Sequence, residues 1–292
     1  MKRLFAVMLL VALLLSAGSA VFAAPQKTPE TAAQTAAQYL LENVPSPGVD
    51  HAAVVIALAR GGYEVPAGYF STYYNALAAR VQQAGGVLSH TRYQDYSEAI
   101  LALTAIGRDP RSVCGYDLTV PLGNYLETAK GGLRGVAFAL LALDCGGYEL
   151  PQNSAAAVQA TRDGYVDAIL TRQNADGGWS LGGGASDPDL TAMALQALAR
   201  YRSRADVSAA VEAGLSCLSQ MQEENGAFSS WSTESSESVS QVLTALTELG
   251  LSLDDARFVK NGQTLEDVLL RFAQDDGSFA HTPEDGGNLL AT

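Results

Sequence analysis

The sequence predicts an all-α protein, an (α/α)6 toroid of alternating inner and outer helices in which the last inner helix is truncated. The first observation is a glycine turn that ends on an apolar side chain and recurs five times. The turns begin at Gly85, Gly131, Gly177, Gly226 and Gly277. Their spacings are 46, 46, 49 and 51 residues, a period that is typical of arrays of helix pairs.

The second observation is that two types of helix alternate along the chain. The first type is short and apolar on nearly all faces, as in residues 136–143 and 192–198, so protein must surround it. The second type is amphipathic, because Val166, Ile169 and Leu170 follow the spacing of one helix face. One buried and one half-exposed helix per repeat predict two concentric layers, and helix hairpins of this kind either stack into an open solenoid or close into a ring.

The third observation is the number of elements. Outer helices are predicted at 29–43, 69–82, 119–130, 160–172, 206–221 and 262–274, and inner helices begin near residues 50, 95, 134, 187, 236 and 287. Thr28 is the predicted cap of the first outer helix, with Pro29 at its first position. Six helices of each type favour a closed ring. The sixth inner helix barely starts before Thr292, so we expect the natural C-terminus to lie further on.

The N-terminus is predicted to be a secretory signal peptide over residues 1–23. Lys2 and Arg3 precede the apolar run 4–15, which is too short to span a bilayer, and residues 21–23 offer a small-residue cleavage site. We therefore expect residues 24–292 to form a single domain that is secreted or held at the cell surface. No membrane span is expected after cleavage.

Charge and cysteine content exclude several classes of protein. The net charge is −13, and such an acidic surface repels phosphate backbones, which argues against a nucleic-acid partner. Cys114, Cys145 and Cys217 are too few for a disulfide framework. We expect three ordinary buried thiols, with one disulfide bridge as the alternative.

Two of the glycine turns carry a more specific motif. Residues 173–179 read Gln-Asn-Ala-Asp-Gly-Gly-Trp, and residues 222–228 repeat the frame with a final phenylalanine. The glutamine amide is expected to bind the turn, the glycine to take positive φ, and the aromatic ring to pack below the next repeat. The predicted structural residues are Gln173, Asp176, Gly177, Trp179, Gln222, Gly226 and Phe228.

This motif resembles the QW repeat of squalene and oxidosqualene cyclases. The resemblance covers residues 29–292 and implies the α/α toroid of terpenoid cyclases, prenyltransferase β-subunits and cobalamin carriers. Residues 187–198, 238–246 and 258–262 are most similar to the prenyltransferase/squalene-oxidase repeat domains of exported bacterial surface proteins.

The resemblance also raises a catalytic alternative. Residues 187–191 lie where class II cyclases carry Asp-x-Asp-Asp-Thr, which would make Asp189 the catalytic acid, with Asp187 beside it. Leu190 replaces the third acidic position, so half of the arrangement is missing. We therefore expect no catalytic residue, and we interpret Asp187 or Asp189 as a helix cap.

No metal or cofactor is expected. A prenyltransferase zinc site needs Asp, Cys and His, but His51, His90 and His281 each stand apart from the cysteines. The turn at 174–177 lacks the further carboxylates of a calcium loop. The resemblance to cobalamin carriers leaves a corrinoid as a conceivable ligand.

The predicted function is an exported, non-catalytic binding or interaction module. Its ligand is expected at the mouth where the N-termini of the inner helices converge, a place where pockets usually form. The candidate ligand-binding residues are Gln94, Asp95, Tyr96, Asp187, Asp189, Thr191 and Glu237. A small ligand, a wall polymer and a protein all remain candidate partners. The alternative function is a degenerate class II terpenoid cyclase or a prenyltransferase-like enzyme.

Overall fold

The structure is a computed structural model that describes residues 27–292, so the predicted signal peptide lies outside the described residues. The fold is mostly α, as predicted, with eleven α-helices in the described part. The odd-numbered helices are α1 Pro29–Asn43, α3 Tyr69–Gln83, α5 Tyr125–Ala129, α7 Arg162–Leu170, α9 Ala205–Met221 and α11 Leu265–Leu270. The even-numbered helices are α2 Ala52–Arg60, α4 Gln94–Ala105, α6 Gly132–Cys145, α8 Pro188–Leu198 and α10 Ser236–Glu248.

The remaining regular structure is short. Three 3₁₀ helices occupy Val49–His51, Val120–Gly123 and Ala199–Tyr201. Two antiparallel hairpins pair β1 Ser229–Ser230 with β2 Thr233–Glu234, and β3 Phe279–Ala280 with β4 Gly287–Asn288. None of the described helices is long and apolar enough to cross a membrane.

The even-numbered helices form one continuous layer. Helix α2 packs on α4, α4 on α6, α6 on α8, and α8 on α10. The odd-numbered helices lie against this layer, with α1 on α2, α5 and α7 on α6, α9 on α8, and α11 on α10. One apolar cluster extends from Ala32 to Phe279 between the two layers. The even-numbered helices are therefore the apolar type that the sequence analysis predicts.

Helix starts follow local chemistry. The Thr28 side chain accepts a hydrogen bond from the Thr31 backbone N–H at 3.3 Å, and Pro29 occupies the first helical position, as predicted. Asn124 caps α5 by accepting from Glu127 at 3.3 Å. This cap explains why the predicted helix at 119–130 is instead a 3₁₀ turn followed by a short α-helix.

The first and last helices of each layer approach each other. Helix α1 packs on α11. Arg60 at the end of α2 lies 3.6 Å from the Glu248 carboxylate at the end of α10. The Lys27 ammonium, just before α1, donates to Ala273 O at 3.0 Å and to Asp275 Oδ1 at 3.2 Å, both after α11. The described chain therefore brings its two ends together.

Two glycine turns pack in the same way on different helices. Gly177 and Gly277 both have φ of +90°. A Cβ at Gly177 would lie 2.7 Å from the carbonyl oxygen of Ala213 in α9, and a Cβ at Gly277 would lie 2.6 Å from that of Thr35 in α1. Only glycine allows both this backbone conformation and this close approach.

The last predicted inner helix is absent from the described structure. Residues near 287 form strand β4 instead, which pairs with β3. The adjacent Gly286 and Gly287 disfavour a helix, and the Asn288 side chain accepts from the backbone of Leu290 at 2.9 Å and of Ala291 at 3.0 Å. These bonds hold the segment as a turn.

The three cysteines are free thiols, and they differ in exposure. Cys217 is buried, as predicted, but Cys145 is half-buried and Cys114 is exposed. Cys114 has φ of +51° in the tight turn where Val113 and Tyr116 bridge, so its position follows from the turn and not from core packing.

Candidate ligand-binding cavity

A cavity of about 690 Å³ lies between the even-numbered helices. All five even-numbered helices contribute to its wall. The apolar part of the wall is formed by Ile56, Leu101, Phe138, Leu141, Met193, Ala197 and Leu243. The polar part is formed by Arg60, Asp144, Cys145, Gln196, Arg200, Gln241, Thr244, Thr247 and Glu248.

The cavity lies at the C-terminal ends of these helices. Arg60, Cys145 and Glu248 are the last residues of α2, α6 and α10, and Arg200 lies in the 3₁₀ helix that follows α8. Since the C-terminal ends meet at one cavity, these helices run in the same direction and their N-termini lie at the opposite end. Cations are favourable beside helix C-termini, and both arginines are placed there.

Most charged groups of the wall are paired. Glu248 pairs with Arg60, as described above. Asp144 accepts from Arg162 Nε at 3.0 Å and from the Tyr201 hydroxyl at 2.7 Å. Burial and this carboxylate raise the pKa of Tyr201, so the phenol stays protonated and donates a hydrogen bond to Asp144. The pairs hold the rim of the cavity in place.

The other polar groups of the wall are uncharged or unpaired. Gln196 Nε2 donates to Gln241 Oε1 at 2.9 Å, which links α8 to α10. Burial raises the pKa of the Cys145 thiol, so this side chain is neutral at physiological pH. Arg200 is exposed and forms no ion pair with any residue of the described part. It is the cation of the wall that is available to a ligand.

A second cavity, of about 520 Å³, adjoins the first toward the N-terminal ends of α2 and α4. Ile56, Leu101 and Phe138 line both cavities, so these three apolar side chains form the boundary between them. Asp95, a predicted ligand-binding residue at the mouth, lines the second cavity together with Asp50.

The predicted residues at the start of α4 make local contacts. Gln94 Nε2 donates to the carboxylate of Glu98 at 2.8 Å, and Asp95 lies 3.1 Å from Arg92. The Tyr96 ring is buried. Its hydroxyl accepts from the backbone N–H of Leu88 at 3.0 Å. Tyr96 therefore fixes the loop before α4.

The predicted residues at α8 and α10 come together at the N-terminal end of the layer. Asp187 caps α8, because Oδ1 accepts from Leu190 N–H at 3.1 Å, and Oδ2 accepts from the Ser230 hydroxyl at 2.5 Å. Asp189 does not cap, and its Oδ1 is buried without a hydrogen bond. Burial raises the pKa of Asp189, and the negative charges of Asp187 and Glu237 act in the same direction.

Two further predicted residues have partners of their own. Thr191 is fully buried, and its hydroxyl oxygen accepts from the backbone N–H of Trp179 at 2.9 Å. Glu237 lies 2.9 Å from the His281 ring nitrogen. Neither residue lines the cavities described above.

The glutamine turns connect neighbouring repeats. Gln173 Nε2 donates to Gly177 O within its own turn and to Ala210 O in α9, both at 2.8 Å. Gln222 Nε2 donates in the same way to Gly226 O at 2.9 Å and to Phe258 O at 3.0 Å. Each amide therefore fixes a turn and attaches it to the next segment.

The aromatic residues of these turns are core residues. Trp179 is fully buried, and its indole N–H donates to Ile169 O at 2.8 Å. Phe228 is also fully buried. Asp176 Oδ1 accepts from Gly178 N–H at 3.1 Å and from the Ser186 hydroxyl at 2.6 Å, which closes the loop before α8.

The wall of the larger cavity is not among the predicted ligand-binding residues, which are polar groups near helix N-termini. A signal does exist in the apolar helices. Gln196 and Arg200 are four residues apart, and Gln241, Thr244 and Glu248 share one face of α10. Polar residues at helical spacing on an otherwise apolar inner helix indicate a surface that faces a cavity.

Within residues 27–292, no group of three or more His, Cys, Asp or Glu side chains is placed to hold a metal ion. No protein-family model matches the sequence, and no curated protein matches it significantly.

Proposed function

We propose that this chain is an exported, non-catalytic binding module built as an α/α toroid, related to prenyltransferase/squalene-oxidase repeat domains. Closure of the ring is supported by the packing of Gly277 on Thr35, which joins the two ends of the chain. Gly177 packs in the same way on Ala213 in the middle of the chain. The contact between α1 and α11 supports it as well. The relationship to these repeat domains is supported by the glutamine turns.

The observation that carries the binding function is the cavity of about 690 Å³ to which all five inner helices contribute. Its volume is within the range of small-molecule sites. The site that we propose is at the C-terminal ends of the inner helices and not at the N-terminal mouth. Most of the candidates at that mouth cap helices or bind neighbouring side chains and backbone, as described above.

The wall selects for an amphipathic ligand. The boundary residues Ile56, Leu101 and Phe138 offer apolar surface, and Arg200 offers a cation without an acidic partner among the described residues. An apolar body with a carboxylate or similar anionic group satisfies both surfaces. The second cavity gives a long ligand room to extend past the boundary, toward a wall that carries both apolar and charged side chains.

Calorimetric titration with dodecanoate tests this proposal. We expect saturable binding of one molecule, and Thr244→Trp should weaken it at least about tenfold because the indole fills the cavity. Thr72→Trp is the matched control, since both threonines are exposed on helices and donate to the carbonyl four residues earlier. Its affinity should equal that of the wild type.

Two results would contradict the proposal. One is the absence of dodecanoate binding, and the other is unchanged binding by Thr244→Trp. The head group gives a further test, because dodecyltrimethylammonium should bind more weakly than dodecanoate, and Arg200→Gln should remove most of that difference.

One observation favours a second, catalytic function. Asp189 has a buried oxygen without a hydrogen bond and a raised pKa, and both are properties of a carboxyl group that acts as an acid. Incubation with squalene, its epoxide or a linear prenyl diphosphate tests this function. A cyclic or transferred product that Asp189→Asn abolishes would establish it, whereas the binding module predicts no product.

A further inference from the structure

A separate cleft of about 630 Å³ lies between the turn after α3, the start of α4 and residues 115–121. It shares no residue with the two central cavities, so it is independent of the function proposed above. Its wall includes three tyrosines, Tyr93, Tyr96 and Tyr116, and two carboxylates, those of Asp117 and Glu127.

Tyr116 forms a fixed aromatic platform in this cleft. Its ring lies against Gly86, where an added Cβ would be 2.3 Å from Tyr116 Cδ1. Its backbone is held by two hydrogen bonds with Val113, at 2.9 and 3.0 Å. The side chain is nevertheless 37% exposed. The turn therefore supports one face of the ring, and the exposed surface faces the cleft.

Tyr93 supplies a second aromatic surface. Its ring centroid lies 5.6 Å from that of Tyr96, which is buried and held by the backbone of Leu88. Tyr93 itself is half-buried and lines the cleft. The two platforms, Tyr93 and Tyr116, are thus both positioned by packing before any ligand arrives, which reduces the entropy lost on binding.

The carboxylates of the cleft have free acceptor oxygens. Asp117 Oδ1 accepts from the Thr119 backbone N–H at 2.8 Å and from its hydroxyl at 2.6 Å, and Oδ2 forms no hydrogen bond with any described residue. Glu127 Oε1 lies 2.6 Å from the Lys130 ammonium, and its other oxygen has no partner within residues 27–292. Lys130 offsets the charge of Glu127, so Asp117 is the carboxylate of the cleft that has no cationic partner among the described residues.

We propose that this cleft binds a neutral oligosaccharide. The C–H face of a sugar ring is weakly positive and packs on the negative face of an aromatic ring such as Tyr116. Neighbouring sugar hydroxyls donate to carboxylate oxygens, and Asp117 and Glu127 offer one unused oxygen each. An anionic polymer is repelled by the unpaired Asp117 carboxylate, and a cationic peptide has only this one carboxylate to pair with, because Lys130 already neutralises Glu127.

The proposal is tested by saturation-transfer NMR and calorimetry on the full chain with cellohexaose, maltohexaose and chitohexaose. We expect at least one of them to bind with Kd below about 1 mM. Tyr116→Ala should weaken that binding at least about tenfold, and Tyr116→Phe, which keeps the ring, should change it less than about threefold. Tyr39→Ala, at a half-exposed tyrosine on α1, is the control and should bind as the wild type.

Glu127→Gln is a second variant that does not depend on the packing of Tyr116. It removes the carboxylate and should weaken the same oligosaccharide at least about threefold. The proposal is overturned if none of the three oligosaccharides binds at about 10 mM, or if both Tyr116→Ala and Glu127→Gln bind as the wild type. Binding of trilysine at the cleft without binding of any oligosaccharide would overturn it as well.

Discussion

The carbonyl oxygen of Thr35, in the first helix, lies directly against Gly277, in the last glycine turn. A Cβ added to Gly277 would be 2.6 Å from this oxygen. The two residues are far apart in sequence, and their contact matches the one between Gly177 and Ala213 in successive segments. The same turn therefore packs on the following odd-numbered helix in the middle of the chain and across its ends.

Gly277→Ala tests this contact. Positive φ alone costs an alanine about 1–2 kcal/mol, and the collision with the Thr35 backbone should bring the total loss to about 3 kcal/mol. Gly183→Ala is the matched control, because its φ is +73° but nothing lies within 4 Å of the added Cβ. Urea unfolding measures both. Equal losses in the two variants would show that the ends do not pack as described.

Asp189→Asn tests the environment of the buried carboxyl group. Because the folded state raises the pKa of Asp189, its contribution to stability is complete below the ordinary pKa of about 4 and is lost as the pH rises. The asparagine variant stays neutral, so its melting temperature should exceed that of the wild type near about pH 7 and converge with it near about pH 3. Asp254→Asn, at an exposed position, is the control. A difference that is the same at both pH values would contradict this account.

Tyr165→Phe tests a buried phenol in α7. The Tyr165 hydroxyl donates to Leu122 O at 2.6 Å, and burial raises its pKa to about 12. At neutral pH the variant should lose about 1–2 kcal/mol of unfolding free energy, since a buried carbonyl loses its donor. The raised pKa means that the stability due to the phenol is complete below about pH 10 and declines above it. The difference in unfolding free energy between the wild type and the variant, measured by urea unfolding, should therefore become smaller at alkaline pH. A difference that does not change with pH would contradict this expectation.

Trp231 tests the strained tip of the first hairpin. Its φ is +53°, that of Ser232 is +66°, and the indole is 80% exposed. Glycine adopts positive φ without strain, whereas alanine is strained there. The free energy of unfolding of Trp231→Gly should therefore exceed that of Trp231→Ala by about 1 kcal/mol, although glycine is usually the more destabilising of the two residues. Iodide should quench the fluorescence of exposed Trp231 in the wild type. In both variants the remaining emission comes from buried Trp179, and iodide should not quench it. An alanine variant that equals the glycine variant would show that the tip is unstrained.

The sequence identifies much of the fold because the signals are local. The Thr28 side chain, which accepts from a backbone N–H, and Pro29 at the first helical position set the start of α1, and the Asp187 side chain caps α8 as Thr28 caps α1. The predicted helix near 287 fails because the bonds of Asn288 to its own segment, together with two glycines, outweigh the apolar residues that follow. Here a turn competes with a short helix, and propensity alone favours the turn.

The candidate site is harder to predict, because it depends on how separate helices converge. Arg200, Gln241 and Phe138 share a cavity wall only after three helices pack side by side. In the sequence, Asp187 is a candidate both for the ligand site and for a helix cap, and in the structure it caps α8. Spacing on one helix reveals which side chains share a face, and only packing determines which face meets a cavity.

We propose above that the cavity lined by the five even-numbered helices binds an amphipathic ligand, and the cysteines provide the most direct measurement of this binding. Cys145 lines this cavity, whereas Cys114 is exposed outside it. The rate of alkylation of each thiol by N-ethylmaleimide, followed by peptide mass spectrometry, reports access to both places in the same sample. We expect saturating dodecanoate to slow the alkylation of Cys145 at least about tenfold and to leave the alkylation rate of Cys114 unchanged. Equal rates at Cys145 with and without bound dodecanoate would contradict it.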